Sequence, residues 1–223
     1  DVAGNIGSAS APVSFTLDTI APNAPTVAEQ GSTKLVDNYL NATEAGTTTT
    51  FRVTLPTSGS LAAAGDRVEL LLGGASFGTA KLATLSGANV SSGYVDFTVA
   101  KTDLGSDGAK ALTAKITDVA GNIGNASVAA TFTLDTGVPN APSIMSVTDD
   151  VGTITGALAT GARTDDTNLT VRVALAGTGA LANDTVQLYN STAALGSAYT
   201  ITSTDVSNGF ANVATGVLVD ATT

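Results

Sequence analysis

The chain has 223 residues, with 9 Lys plus Arg against 19 Asp plus Glu and no histidine, for a formal net charge of −10 at neutral pH. That balance excludes a nucleic-acid binder built on a basic face. The absence of Cys, His and Trp removes disulfides, thiolate metal sites, cysteine nucleophiles and imidazole bases, so the available chemistry is that of carboxylates, hydroxyls and lysines.

A hydrophobic content of 43% is too high for a disordered chain. No run approaches the roughly 18 apolar residues of a membrane span, so a soluble protein is expected; no N-terminal signal is visible. Of the acids, 16 are Asp, and the only glutamates are Glu29, Glu44 and Glu69. Asp favours turns and short-reach oxygen coordination, which predicts a β protein with acidic loops.

From the first residue the chain carries an internal repeat. Residues 1–27 align without gaps to residues 118–144 at an offset of 117, with 18 of 27 positions identical. The segment opens on Asp1-Val-Ala-Gly-Asn5, continues through Leu17-Asp18-Thr19, and ends in the Pro-Asn-Ala-Pro linker at 22–25, stiff because two prolines fix φ and lack donors. After it, short alternating runs predict strands near 26–28, 50–55, 67–72, 81–85, 94–99, 112–117 and 128–134; 61–65 could hold one helical turn. Gly73-Gly74 reads as a tight turn, and Arg52 and Arg172 as matched solvent-facing strand positions. The second Pro-Asn-Ala-Pro linker falls at 139–142. These signals predict an all-β chain of tandem Ig-like antiparallel β-sandwiches joined by short Pro-containing linkers. Residues 1–25 are read as the last strand and linker of a preceding repeat, 26–142 as a complete repeat, and 143–223 as a following repeat that stops before its last strands.

Three acidic elements recur in register. Asp118 and Asn122 sit in a hairpin loop, as do Asp1 and Asn5; turn chemistry explains them, and their oxygens also suit a hard cation. Asp18 with Thr19, and Asp135 with Thr136, lie where a final strand leaves its domain. Sandwich topology brings Asp18 toward Asp118 and Asn122 across one linker, and Asp135 toward the equivalent hairpin of the following repeat, at the same pole as the loop after the first strand. That loop holds Asp37, Asn38, Asn41 and Glu44 at a spacing a calcium loop can use, and its counterpart holds Asp149, Asp150, Asp165 and Asp166. Plain turn-forming acids are the alternative. Catalytic carboxylates are disfavoured because an active site has no reason to recur at every linker, so no enzyme is expected.

The D-x-A-G-N hairpin, the T-L-D-T strand end, the P-N-A-P linker and the openings DNYLNATEAG and DDVGTITGALATGARTDDT resemble the bacterial Ig-like extender repeats of giant Gram-negative secreted adhesins, the biofilm-associated and RTX-type group. The resemblance spans essentially the whole chain. It implies a stalk at the bacterial cell surface, stiffened by Ca2+ held at or near the linkers, exported by type I secretion and serving adhesion and biofilm formation. Two departures stand out: the glycine-rich nonapeptide repeats of RTX export regions are missing, and Asn168–Val173 replaces the family's usual start of the next strand. Neighbouring repeats are the expected partners, with no nucleic acid or membrane insertion. Head-to-tail strand complementation, in which 12–18 completes another copy's 143–223 domain, is a further possibility. The competing reading is a carbohydrate- or protein-binding module. Six Asn-x-Ser/Thr sequons in a chain this rich in Asn, Ser and Thr are read as chance.

Overall fold

Alternating apolar and hydroxylated residues give the strands of the computed structural model, which describes residues 1–31, 33–153 and 155–219. The chain divides into two units, Asp1–Gly137 and Val138–Thr223.

In the first unit, β1 (Thr26–Glu29), β3 (Thr48–Thr54) and β6 (Tyr94–Ala100) form one antiparallel sheet in the order β1-β3-β6. The second sheet runs β2-β8-β7-β4-β5, from β2 (Tyr39–Asn41), β8 (Ala130–Asp135), β7 (Gly108–Thr117), β4 (Arg67–Leu72) and β5 (Ala75–Thr84). Every second residue faces inward. Phe51, Val53, Phe97 and Val99 from one sheet meet Val68, Leu70, Leu112, Ile116, Phe132 and Leu134 from the other. Phe51 and Phe132 stack across the gap, centroids 5.8 Å apart. Each such side chain contributes about 1.5–3 kcal/mol by leaving water, so the sandwich closes around this one cluster.

In the second unit, β9 (Ser143–Asp149), β10 (Gly156–Ala157), β11 (Thr170–Ala174) and β14 (Phe210–Ala214) form a sheet in the order β10-β9-β11-β14. A hairpin of β12 (Thr185–Asn190) and β13 (Ala193–Thr200) lies against it. Val171, Val173, Val186, Leu188, Ile201 and Val213 make the core. The β9-β11-β14 trio matches β1-β3-β6, and β12-β13 matches β4-β5, so both units are built on one Ig-like β-sandwich plan.

Three local expectations need correction. Among the described residues the first unit has eight strands, not seven, because the loop near 37–44 contains β2. This strand pairs in parallel with β8, Leu40 opposite Leu134 and Asn41 opposite Asp135, within an otherwise antiparallel sandwich. Three residues are too few to show a period, and only the pairing accounts for the complete burial of Leu40. The stretch 61–65 forms a turn without helix. Helical turns appear instead at α1 (Ala42–Ala45), α2 (Gly87–Ser92), a 3-10 turn (Lys101–Leu104) and α3 (Ser203–Asn208). Both six-residue helices start on a reciprocal capping box, at Ser86 with Asn89 and at Thr202 with Asp205, and end on a left-handed glycine, Gly93 or Gly209.

Candidate functional site

The hairpin loop after β7 is closed by its own side chains. The Asn122 backbone N–H donates to Asp118 Oδ1 at 2.8 Å, and Asn122 Nδ2 donates to Asp118 Oδ2 at 2.9 Å. These donors, the side-chain amide first, hold the Asp118 carboxyl below the ordinary carboxylate range. The earlier copy folds the same way: Asn5 donates through its backbone N–H and its Nδ2 to Asp1, each at 2.9 Å. Asn122 Nδ2 also donates to the Asp18 carbonyl at 3.0 Å. The strand end and the hairpin therefore meet, through the main chain of Asp18; its carboxylate turns back to accept from the Ile20 N–H at 3.1 Å. Thr19, between them, is exposed.

At the end of β8, register places Asp135 opposite Asn41. Asn41 is committed to a capping box: its Oδ1 accepts from the Thr43 and Glu44 N–H groups at 2.9 and 3.0 Å, and Glu44 Oε2 accepts from the Asn41 N–H at 3.1 Å. Asp37 accepts from the Tyr39 N–H at 2.9 Å, and Asn38 takes the left-handed region at φ 65° while its carbonyl accepts from the Thr133 N–H. Thr136 is held from an unanticipated direction. Its N–H donates to Asp107 Oδ2 at 2.8 Å and its hydroxyl to Asp107 Oδ1 at 3.0 Å, with the backbone bond the largest reason the Asp107 carboxyl lies low. The Gly137 N–H donates to Asp135 Oδ1 at 3.2 Å. Asp107 carries no sequence flag, because Ser-Asp-Gly before a strand reads as an ordinary turn.

The second unit buries two of its acids. Asp149 and Asp166 are 2% and 6% exposed, as buried carboxylates are only when hydrogen-bonded. Asp149 accepts from the Thr164 hydroxyl at 2.6 Å and the Val151 N–H at 3.0 Å; Asp166 accepts from the Asn168 N–H at 2.7 Å. Asp150 lies beside Asp166 but is exposed. Asp165 lies over Gly152, where a Cβ would stand 2.4 Å from its Oδ2 at a backbone φ of +78°. Asp149, Thr153, Arg163, Thr164 and Asp165 line an open hollow of about 280 Å³. Oxygen donors of this kind suit a hard cation in chemical type. Among the described residues, however, no three acidic side chains are gathered as a metal-holding group. The carboxylate oxygens instead receive N–H and O–H donors, so the loops as they stand close on themselves.

The arrangement defines a class: all-β Ig-like sandwiches in tandem, with oxygen-rich loops at strand ends. No family model matches the sequence, and no curated protein does. Among solved structures, the chain is similar to a Ca2+-stabilized adhesin that helps an Antarctic bacterium reach out and bind ice, at 24% identity and TM-score 0.42 over 89% of this chain and 42% of that one. It is also similar to a 1.5-MDa bacterial ice-binding adhesin, at 21% identity and TM-score 0.41 over 91% of this chain and 56% of that one. A bacterial immunoglobulin-like domain of the M. primoryensis ice-binding adhesin aligns at 27% identity and TM-score 0.34, over 52% of this chain and all of that domain. The chain thus spans about half the length of the two longer neighbours.

Proposed function

We propose that the chain is an extender segment of a bacterial cell-surface adhesin, a stack of Ig-like repeats that holds a distal binding region away from the cell. The observation that carries this reading is the recurrence, 117 residues apart, of one sequence module of hairpin loop, T-L-D-T segment and linker whose loop makes the same side-chain bonds in both copies. Repetition of a structural joint is what a spacer requires. A role in adhesion and biofilm formation, and an extracellular location reached by type I secretion, go with the same reading.

Calcium is the cation that oxygen-rich loops of this composition would take, and one structural neighbour is described as Ca2+-stabilized. Asp149, Asp165 and Asp166 in the second unit, and Asp135 with Asn41 and Glu44 in the first, are the residues that would hold it, once their present N–H and O–H donors are exchanged. A ligand that binds only the native state adds RT ln(1 + [L]/Kd), about 2.7 kcal/mol at a hundredfold excess over Kd. Differential scanning calorimetry in EDTA and in millimolar calcium is the test: a raised melting temperature with calcium is expected, and superimposed curves overturn the calcium part. Neighbouring repeats are the proposed partners. Phe15 and Leu17 are 87% and 80% exposed, whereas their counterparts Phe132 and Leu134 are 4% and 0% exposed, so this segment, as a strand, would suit the core of another repeat. A self-association of the 223-residue chain that Phe15→Asp abolishes, seen by analytical ultracentrifugation, would support complementation between copies.

A second reading, a carbohydrate-binding module, draws on one feature. Tyr39, half-exposed, stands with Thr131, Thr133, Ala109 and Asp37 on a shallow hollow of about 770 Å³. A glycan array probed with the chain and with Tyr39→Ala separates this reading from the spacer.

A further inference from the structure

Each Pro-Asn-Ala-Pro segment is bonded to the repeat that follows it. In the first unit, Asn23 donates from its backbone N–H to the Ser60 carbonyl at 2.9 Å and from Nδ2 to the Ser58 carbonyl at 2.9 Å. Gly59, between those carbonyls, has φ +73°, and a Cβ there would stand 2.1 Å from Asn23 Nδ2, so the turn is shaped around the amide. The second unit repeats the arrangement with different residues. The Asn140 backbone N–H donates to the Thr178 carbonyl at 2.8 Å, and Asn140 Nδ2 to the Gly177 carbonyl at 3.1 Å. The first linker has one more seat: a Cβ on Gly124 would lie 2.3 Å from the Pro22 carbonyl oxygen, so the chain runs directly across that glycine, with Pro22 and Pro25 buried. Upstream of the second linker, Thr136 is bonded twice to Asp107 of its own unit.

We infer that the asparagine of each Pro-Asn-Ala-Pro segment is a metal-independent clasp that fixes the entering chain on the following repeat, confining rotation at the joint between the two units to Gly137–Pro139. Thr136 belongs to one side and Asn140 to the other. Of the residues between them, Pro139 has a fixed φ and Val138, preceding a proline, is held extended. Gly137 is then the one residue with broad freedom. Its counterpart in the earlier copy is Ile20, and a Cβ on Gly137 would meet nothing closer than Asp135 Oδ1 at 3.6 Å, so the fold accepts a side chain there. This inference deepens the spacer reading by naming where such a stalk turns, and it involves no cation.

The chain has no cysteine, so Thr79→Cys and Ser207→Cys, both at exposed positions, place one spin label on each unit of the full chain. Pulsed dipolar spectroscopy in EDTA then reads the spread of the distance between them. Asn140→Ala is expected to broaden the distribution and Gly137→Ile to narrow it, with circular dichroism melting confirming that the units stay folded. A width unchanged by Asn140→Ala in a folded protein overturns the clasp. Should Asn140→Ala unfold the second unit, Gly137→Ile decides alone: narrowing supports the inference and an unchanged width overturns it. Because calcium is excluded, failure here leaves the calcium reading intact, and failure of the calorimetric test leaves the clasp intact.

Discussion

The stretches 1–18 and 118–135 are close to the same sequence in two settings. Their hairpin loops fold alike, Asp1 with Asn5 and Asp118 with Asn122, because every bond involved spans at most four residues. Their strands differ. Ala130–Asp135 forms β8 between β7 and β2 and buries Phe132 and Leu134. The same pattern at Phe15 and Leu17 has no sheet to join in the first unit and remains exposed. A turn of this type carries its structure with it, whereas a strand acquires structure only from neighbours, since its backbone donors and apolar face are satisfied by other segments.

Truncating the same ring in both settings separates sheet context from sequence. Phe132→Ala should cost the first unit about 3–5 kcal/mol, the range for losing a buried Phe; Phe15→Ala should change its stability by no more than about 0.5 kcal/mol, as surface positions do. Urea denaturation followed by tyrosine fluorescence reads both, and equal losses would refute the view that sheet context decides. A smaller effect tests the local side. Asn41→Ala removes the cap of α1 and should cost about 1 kcal/mol, with Asn41→Asp recovering most of it in the same denaturation series.

A still smaller difference separates two matched arginines. Arg52 chelates Asp96 through two bonds of 2.8 Å and stacks 3.5 Å over Tyr94. Arg172 meets the neutral Asn212 at 3.2 Å and stacks 4.2 Å over Phe210. Arg52→Ala should therefore lower the melting temperature of its unit more than Arg172→Ala does, and only the former loss should shrink as salt screens the ion pair. The last test is by pH. Asp118 has a lowered folded pKa, so the stability it contributes is present above the unfolded carboxylate value and is lost as pH falls through the folded one. Carboxyl NMR titration should give Asp118 a midpoint below the ordinary aspartate value of about 3.9, and Asn122→Ala, which removes the largest cause, should raise it.

Much of the all-β fold was legible because period two reveals strands. The strands β3, β4, β6 and β8 fall where Phe51, Val53, Val68, Leu70, Phe97 and Leu134 alternate with polar residues. β2 was hidden because Leu40 is a single apolar residue between Tyr39 and Asn41, and its reason to be a strand lies 94 residues away, opposite Leu134. The six-residue helices leave no 3.6-residue periodicity in the sequence because they span fewer than two turns. Their capping boxes, Ser86 to Asn89 and Thr202 to Asp205, were the signal available. At the strand ends, sandwich topology put Asp18 near Asp118 and Asn122 and put Asp135 at the pole of the 37–44 loop. It did not show that the contact uses the Asp18 carbonyl, nor that Asp107 holds Thr136, since main-chain contacts leave no mark in residue type.

The parallel β2–β8 pair has a mechanical meaning. Tension on the joint after Asp135 pulls β8 along its own length, and β8 is hydrogen-bonded on both sides, to β7 from Gly108 to Leu112 and to β2 from Tyr39 to Asn41. Drawing the strand out therefore loads both ladders in shear, many bonds at once, instead of opening them one at a time from an end as in unzipping. Leu134, fully buried in that strand, would have to be dragged through the core before the ladders part, so sliding β8 out costs apolar burial as well as hydrogen bonds.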